Sequence, residues 1–470
     1  MSPPDSHSSA GTATSPELVT PEQRRSIGTL TYTAAGLAGL FSWLLWGDFV
    51  ALLKDRSVLT VVQLLLKRFE ASDFVAGVLI GSVPPIISLL VVPIISYHSD
   101  RHRGRRGRRI PFLLAFTPIA SLAMIGLAYS PLLGQWVHGL LGVRSPGLNP
   151  TILIFLGVFW ATFEFASKVL GDLLFFALIN DVVPKAYLGR FFGLFRAIGL
   201  LAGILFSYWL LGPSERHYAW LFVAFGLLYG VGFTLMCLKV KEGGYPPAPP
   251  PQPHSGLAGG FFSASRVYLR ESFTKPYYLW VFAAYALGQL TFLPCYTYNV
   301  FFAKSLQLDM GTYGRIQAYS YMISFALAYP LGWLADRFHP LRINIVVMVL
   351  YAAVALWGGI YATNAHLFSC ALLAYNVLSG TWYTGAASMT QRLFPGTKFA
   401  QYFSAMGIAG AVFQILLPAA LGWFLDLTNH TYRYMYLASF GLAILALCAS
   451  AVVHRRFMRL GGPAGYQAPE

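Results

Sequence analysis

Three ionisable residues interrupt a segment that is otherwise apolar, Trp160-Ala-Thr-Phe-Glu164-Phe-Ala-Ser-Lys168-Val-Leu-Gly-Asp172. Glu164, Lys168 and Asp172 recur at every fourth residue, so on an α-helix they share one face. The surrounding run, Thr151 to Leu178, is long enough to cross a bilayer. Glu164 then falls near the midplane, and Asp172 about 12 Å further along the axis. Charges at that depth are costly unless they pair or meet water, and such residues mark pathways for ions or solutes. A carboxyl group excluded from water favours its neutral form, which suits it to load and release a proton. Glu164 is therefore the candidate proton-coupling group, Lys168 its modulator and Asp172 a further member. The plainer alternative is a charge-paired helix that only locks a bundle. Asp48 is a second acid in an apolar run, expected either to face a cavity or to lie at the outer interface beside Lys54. Arg196, one and a half turns into another run, could reach Asp172 or Asp181, or extend outward.

The elements that hold these groups follow from composition. Of 470 residues, 56% are hydrophobic and 11% charged, against about 25% charged in soluble domains. The mean hydropathy is +0.57. Such a chain is an all-α polytopic membrane protein, with room for about twelve spans of about 20 residues. The stretch Ser96 to Pro111 packs Arg101, Arg103, Arg105, Arg106, Arg108 and Arg109 between two apolar runs. Arginine in the hydrocarbon costs at least about 2.5–3.5 kcal/mol, so this is a loop, and the positive-inside rule assigns it to the cytoplasm. The net charge of +15 is gathered in alternate loops, which explains it by topology without a nucleic-acid partner. The expected layout is a disordered cytoplasmic tail over 1–26, six helices over 27–238 and a cytoplasmic proline-rich linker over 239–275. Six more helices follow over 276–457, then a cytoplasmic tail over 458–470. Span one is placed at Ile27 to Val50, with Lys54 to Glu70 as an outer loop or amphipathic segment, and Pro84-Pro85 interrupts span two. Cys237, Cys295, Cys370 and Cys448 form no CxxC and are expected to be buried small side chains.

The halves echo one another. Gly332-Trp-Leu-Ala-Asp336-Arg337 lies between spans eight and nine, where Ser99-Asp100-Arg101 lies between spans two and three. A second echo pairs Pro184–Gly193 with Pro395–Ser404, and Gly199 with Gly410. Repeated motifs in the same order point to a parallel duplication. An Asp ending one helix and an Arg opening the next can form a clasp that holds one face shut, through the helix dipole or a direct pair. Asp100, Arg101, Gly332, Asp336 and Arg337 are the candidate gate residues. These motifs and the six-plus-six layout resemble the major facilitator superfamily over residues 27–457. Ser99-Asp-Arg…Gly107-Arg-Arg-Ile-Pro-Phe112 is similar to a loop of the glycoside–pentoside–hexuronide cation symporters and the sucrose–proton symporters.

That resemblance implies a secondary transporter working by alternating access, in which the span-four acid couples proton to sugar. Glu164 matches that acid; its basic partner in the family is an Arg, so Lys168 departs from the pattern. The paired span-two acids of the sodium-coupled relatives are missing here. Sugars are held by polar groups together with aromatic faces. Tyr285, Gln289, Tyr296 and Asn299 of span seven, Gln317 and Tyr321 of span eight, Asn376, Trp382 and Tyr383 of span ten and Gln414 of span eleven are the candidates, with Gln289 and Asn376 foremost. No catalytic constellation, metal cluster, phosphate-binding loop or cofactor motif is present in the sequence. The expected partners are a small-molecule sugar or glycoside, protons and the lipid bilayer of the cell (inner) membrane. The chain is expected to act as a monomer, with both termini cytoplasmic. Competing readings are a proton-coupled exporter of drugs or metabolites and a non-transporting sensor or assembly factor.

Overall fold

The computed structural model describes residues 25–245, 273–395 and 398–469. The tail before residue 25, the proline-rich part of the linker and the side chains of Asp172 and Asp336 lie outside the described residues. A two-stranded hairpin, β1 (Ser26–Ile27) and β2 (Leu30–Thr31), precedes the helices. The first half comprises α1 (Ala34–Arg68), α2 (Asp73–Arg101), α3 (Ile110–Leu141), α4 (Leu148–Val182), α5 (188–210) and α6 (Leu211–Lys239). The second comprises α7 (Pro276–Ser305), α8 (Met310–Phe338), α9 (Pro340–Tyr361), α10 (Ala365–Leu393), α11 (Phe399–Leu427) and α12 (Tyr434–Arg459). Nine helices are long and apolar enough to cross a membrane among the described residues. One of these, Lys185–Lys239, makes two passes: the chain leaves helical geometry at His217, so residues 211–216 continue the pass of α5 and the second pass of α6 begins after His217. The more polar α8 and α10, of 29 residues each, complete twelve.

Span one differs from its sequence reading. Lys54 to Glu70 is no outer loop: α1 is one helix of 35 residues, about 52 Å long against about 30 Å of hydrocarbon. Thr33 caps it by accepting the Gly36 N–H at 3.0 Å. No Gly or Pro breaks it between Asp48 and Arg68, and Lys54-Asp55-Arg56 continues the helix inside the protein. Nor do Pro84-Pro85 end span two. A π-helical stretch, Gly77–Ser82, precedes them, and they open the next α-helical turn, where a missing N–H is tolerated. A second π-helical stretch, Lys168–Phe175, follows the α-helical Leu148–Ser167 in α4. The wider turn breaks the four-residue stacking expected to run on to Asp172.

Packing shows the duplication. In the first half α3 packs on α4 and α6, and α1 on α5 and α6; in the second α9 packs on α10 and α12, and α7 on α11 and α12. Adding six to each helix number converts one set into the other. The two seams between the halves, α2 with α11 and α5 with α8, exchange under the same operation.

The apolar core tells which end is closed. One buried cluster runs through both halves, from Val58–Leu66 of α1 to Tyr298–Ala303 of α7 and Tyr436 of α12. Two others stay within a half each, around Leu37–Val50 and Val169–Val183, and around Tyr277–Ala284 and Val453–Phe457. These lie toward the basic loops. The halves are therefore fused at the end away from the basic loops, called here the far face, and separate at the basic face.

Close backbone approach makes the fusion. A Cβ on Gly314 would fall on the carbonyl oxygen of Ser207, and one on Gly77 on that of Pro418. Gly314→Ala and Gly77→Ala should each lower thermal stability in detergent, by about 1–3 kcal/mol of overpacking. Gly441→Ala, with nothing within 4 Å of its Cβ, should not. Unchanged melting of both seam variants would contradict the fused far face.

Candidate functional site

A cavity occupies the middle of the molecule. Two adjoining compartments, of about 770 and 720 Å³, share Asp55, Leu59, Gln289, Leu293, Tyr296 and Gln414. The larger extends along α2 to Pro93 and along α11 to Ser404, close to the basic ends of both helices. The smaller reaches toward α8 and α10.

The first half supplies an ionisable wall. Asp55, Arg56, Glu164, Ser167, Lys168 and Arg196 line the cavity. Behind them Lys54, 3% exposed, donates to Ser167 Oγ at 2.8 Å and pairs with Asp55 at 2.6 Å. Its ammonium lies 4.9 Å from the Phe163 ring centroid and 5.0 Å from that of Tyr229. Two rings and two polar partners thus hold this cation out of water. Glu164 and Lys168 stand on the cavity side of α4, as the sequence spacing requires, whereas the side chain of Asp172 lies outside the described residues.

Asp48 occupies neither of its two expected places. Because α1 continues to Arg68, Asp48 is not at the outer interface, and it lines neither compartment. It is 2% exposed, and its Oδ2 has no hydrogen-bond partner. Arg196 donates to Thr384 Oγ1 across the seam at 2.8 Å, and Asp181 is held by Arg108 instead.

The second half supplies a neutral polar wall: Gln289, Tyr296, Asn299, Gln317, Tyr321, Asn376, Tyr383 and Gln414. Gln414 Nε2 donates to Gln289 Oε1 at 2.9 Å, which fixes both amides. Asn299 Oδ1 and Asn376 Nδ2 are buried without partners. Tyr285 and Trp382 do not line the cavity. Their rings, 5.7 Å apart, pack inside the second half, with Trp382 against Gly288 and Phe292. An aromatic on a polar helix gives no sign in the sequence of which face it takes.

The far face is shut by polar contacts as well as glycines. Asp426 of α11 accepts the N–H groups of Asp73 and Phe74 at 2.8 and 2.9 Å, capping α2 from the other half. Tyr432 Oη donates to Asp73 Oδ1 at 2.8 Å, and His430 Nδ1 lies 2.7 Å from Asp73 Oδ2. Lys67 donates to Tyr432 Oη at 2.8 Å, Gln63 to the carbonyls of Tyr296 and Thr297, and Lys304 pairs with Glu215.

At the basic face the motif residues find other partners than expected. Asp100 pairs with the buried Arg109, while Arg101 lies over the Tyr97 ring at 3.7 Å. Arg108 forks onto Asp181 at 3.0 and 2.6 Å. Glu242, at the start of the linker, accepts the N–H groups of Arg108, Arg109 and Ile110 at 2.9, 2.8 and 2.7 Å and caps α3. Tyr245 donates to Glu242 at 2.8 Å. All these residues belong to the first half and its linker, so among the described residues these contacts form no clasp between the halves. Gly332 lines a small hollow with Arg196 and Thr384, and Arg337 lies 5.3 Å from the Trp333 ring. The buried thiols are Cys237 and Cys295; Cys370 and Cys448 are exposed, contrary to expectation.

His339, beside the second motif, caps α9 with φ of 70° and accepts the Leu341 N–H on Nδ1 at 3.3 Å. Burial first, then Arg392, Arg342 and His454, holds its pKa down to about 4. The unfolded chain binds this proton near pH 6.5 and the folded one does not. Stability should therefore fall as pH drops from about 6.5 toward 4. In His339→Asn, which keeps a capping side chain, melting temperature should fall less across that range; identical slopes would overturn the assignment.

A family model of the Major Facilitator Superfamily matches residues 49–418. Among solved structures, a bacterial homologue of the human lysosomal transporter Spinster, inward-facing and unoccupied, matches with a TM-score of 0.65 at 13% identity. It covers 91% of this chain and 99% of that one. A bacterial homologue of the iron transporter ferroportin, inward-facing, matches with 0.61 at 15%, covering 89% and 99%. A D-xylose-proton symporter matches with 0.58 at 13%, covering 89% and 96%. At such identities the likeness is one of fold. With a family match over most of its length, this multi-pass membrane protein, a transporter by fold, belongs to the Major Facilitator Superfamily.

Proposed function

We propose that the protein carries a sugar or glycoside together with a proton by alternating access, and that this conformation is open to the cytoplasm. The observation that carries the reading is the division of one central cavity between an ionisable wall and a neutral amide-and-phenol wall. The amides can bond hydroxyl groups, and Tyr296, Tyr321 and Tyr383 offer faces for a ring. The described lining residues include no His or Cys, the side chains that soft metal cargo would call for. A fold shared with a D-xylose-proton symporter and the Ser99-Asp100-Arg101 loop agree with a sugar cargo.

Basic loops face the cytoplasm of the cell's inner membrane, so both termini are cytoplasmic. Glu164 faces the water-filled cavity and takes up the coupling proton; Lys168, one turn away, modulates it. Asp172 and Asp48 are further members of the proton path. Gln289, Asn299, Gln317, Asn376 and Tyr383 contact the substrate. Asp100, Arg101, Gly332, Asp336 and Arg337 belong to the basic face, which closes when the far face opens. The cavity is complete in a monomer, because one chain supplies both of its walls.

The test is uptake by proteoliposomes, with cargo chosen from mono- and disaccharides that raise the melting temperature of the purified protein. An imposed inward proton gradient should drive accumulation in the wild type. Glu164→Gln should abolish accumulation while preserving exchange of labelled for unlabelled sugar. Undiminished proton-driven uptake in Glu164→Gln would remove Glu164 from the mechanism. Outward movement driven by the same gradient would identify an exporter.

A further inference from the structure

Two arginines in the cavity wall are held by hydroxyl groups. Arg56, from the middle of α1, donates to Tyr321 Oη at 3.2 Å and lies 5.2 Å from that ring's centroid. Arg196, from α5, donates to Thr384 Oγ1. Neither forms an ion pair among the described residues. The acids nearby are engaged elsewhere: Asp55 with Lys54, and Asp181 with Arg108. Glu164 and Lys168 cancel in formal charge. The wall thus sets Arg56, Lys168 and Arg196 against Asp55 and Glu164, with Lys54 directly behind Asp55. Among the described lining residues positive charge is in excess.

A guanidinium carries five N–H donors in a fixed fork, and a single neutral hydroxyl satisfies little of it. At membrane depth an arginine so placed is costly, and such residues mark a substrate path. Its best complement is a carboxylate or phosphate, which accepts two parallel hydrogen bonds. The opposite wall makes the matching demand for hydroxyls. Asn299, 3% exposed, has an unpartnered Oδ1, and Asn376 an unpartnered Nδ2, both on the cavity that Arg56 lines. One orphan acceptor and one orphan donor suit alcohol groups, which both give and accept.

We infer that the cargo is a hydroxylated molecule bearing one anionic group, a carboxylate or a phosphate. Arg56 binds the anion, while Asn299 and Asn376 bind the hydroxylated body. This rests on the transport reading above and narrows its substrate. Arg196 is an earlier station on the same path. It precedes Gly203, which faces the Tyr321 ring, by seven residues, about 10 Å of helix rise toward the basic face. Arg56 belongs to the first half, and Asn299 and Asn376 to the second, so a bound cargo bridges the halves. In doing so it displaces Tyr321 from Arg56. A monoanion that crosses with one proton moves no net charge.

The experiment uses the purified full-length protein and isothermal titration with D-glucose, D-glucuronate, D-glucose 6-phosphate and inorganic phosphate at one pH. At least one of the two charged sugars should bind more tightly than glucose and than inorganic phosphate. Arg56→Gln should weaken that binding by about tenfold to a hundredfold, the range of one charge-assisted pair. Arg56→Lys keeps the charge without the fork and should lie between. Asn299→Ala should weaken the charged sugar but leave inorganic phosphate unchanged. Monodisperse elution and wild-type melting of Arg56→Lys guard against loss of fold. Glucose binding as tightly as both charged sugars, with no effect of Arg56→Gln, would overturn the anion site and leave sugar transport standing. Tight binding of inorganic phosphate alone would overturn the hydroxylated cargo. Failure of all four probes would overturn the inference and the sugar reading together.

Discussion

A charge held at membrane depth must find a counter-charge, a set of hydrogen bonds or water, and the structure is organised around that requirement. Lys54 finds the first two, with Asp55 and Ser167 as partners and two aromatic rings beside its ammonium. Arg56 has a hydrogen bond to Tyr321 and lines the cavity together with Glu164 and Lys168. Asp48 has a buried oxygen with no hydrogen-bond partner among the described residues. Close the cavity on every side and the wall becomes untenable. Open it on both sides and the barrier is lost. A protein with this wall needs one open face and one closed one.

The closed face is built from backbone as much as from side chains. Glycines at Gly77 and Gly314 let α2 reach α11 and α5 reach α8, and Asp426 reaches across to satisfy the first N–H groups of α2. These contacts hold only at short range, so a small rotation of one half breaks them as a group. Duplication supplies the geometry for that rotation. The seams are interchanged by the same relation that converts one half into the other, so parting one end of both seams can close the other end. Glu242 and the arginines it caps lie within the first half and its linker, so these contacts do not depend on how the two halves are placed.

Twelve helices, two halves and a basic face were legible in the sequence because each rests on a local property. Apolar run length, arginine clustering and a repeated Asp-Arg corner need no knowledge of distant contacts. The Glu164–Lys168 pair was legible for the same reason, since four residues on a helix share a face. Asp55 and Arg56 were not. In the sequence, Lys54-Asp55-Arg56 reads as the end of a span, because a charged triplet in lipid is prohibitive. It is tolerable here only because α4, α6 and α8 surround it with Ser167, Tyr229 and Tyr321. Trp382 and Tyr285 failed in the opposite sense: composition marked them as ring-binding, and packing turned them into the second half's interior.

By itself, the sequence determined that the chain crosses the membrane repeatedly, which loops share a face, and that an acid and a base sit together in the fourth helix. Those are consequences of solvation and helical periodicity, both local. Tertiary structure alone decided which face is shut, which polar residues meet in one cavity, and that Arg56 and Arg196 stand there with hydroxyl partners and no ion pair among the described residues. Such facts depend on which helix neighbours which, and α1 meets its partners on α4, α7 and α8 across more than a hundred residues of chain.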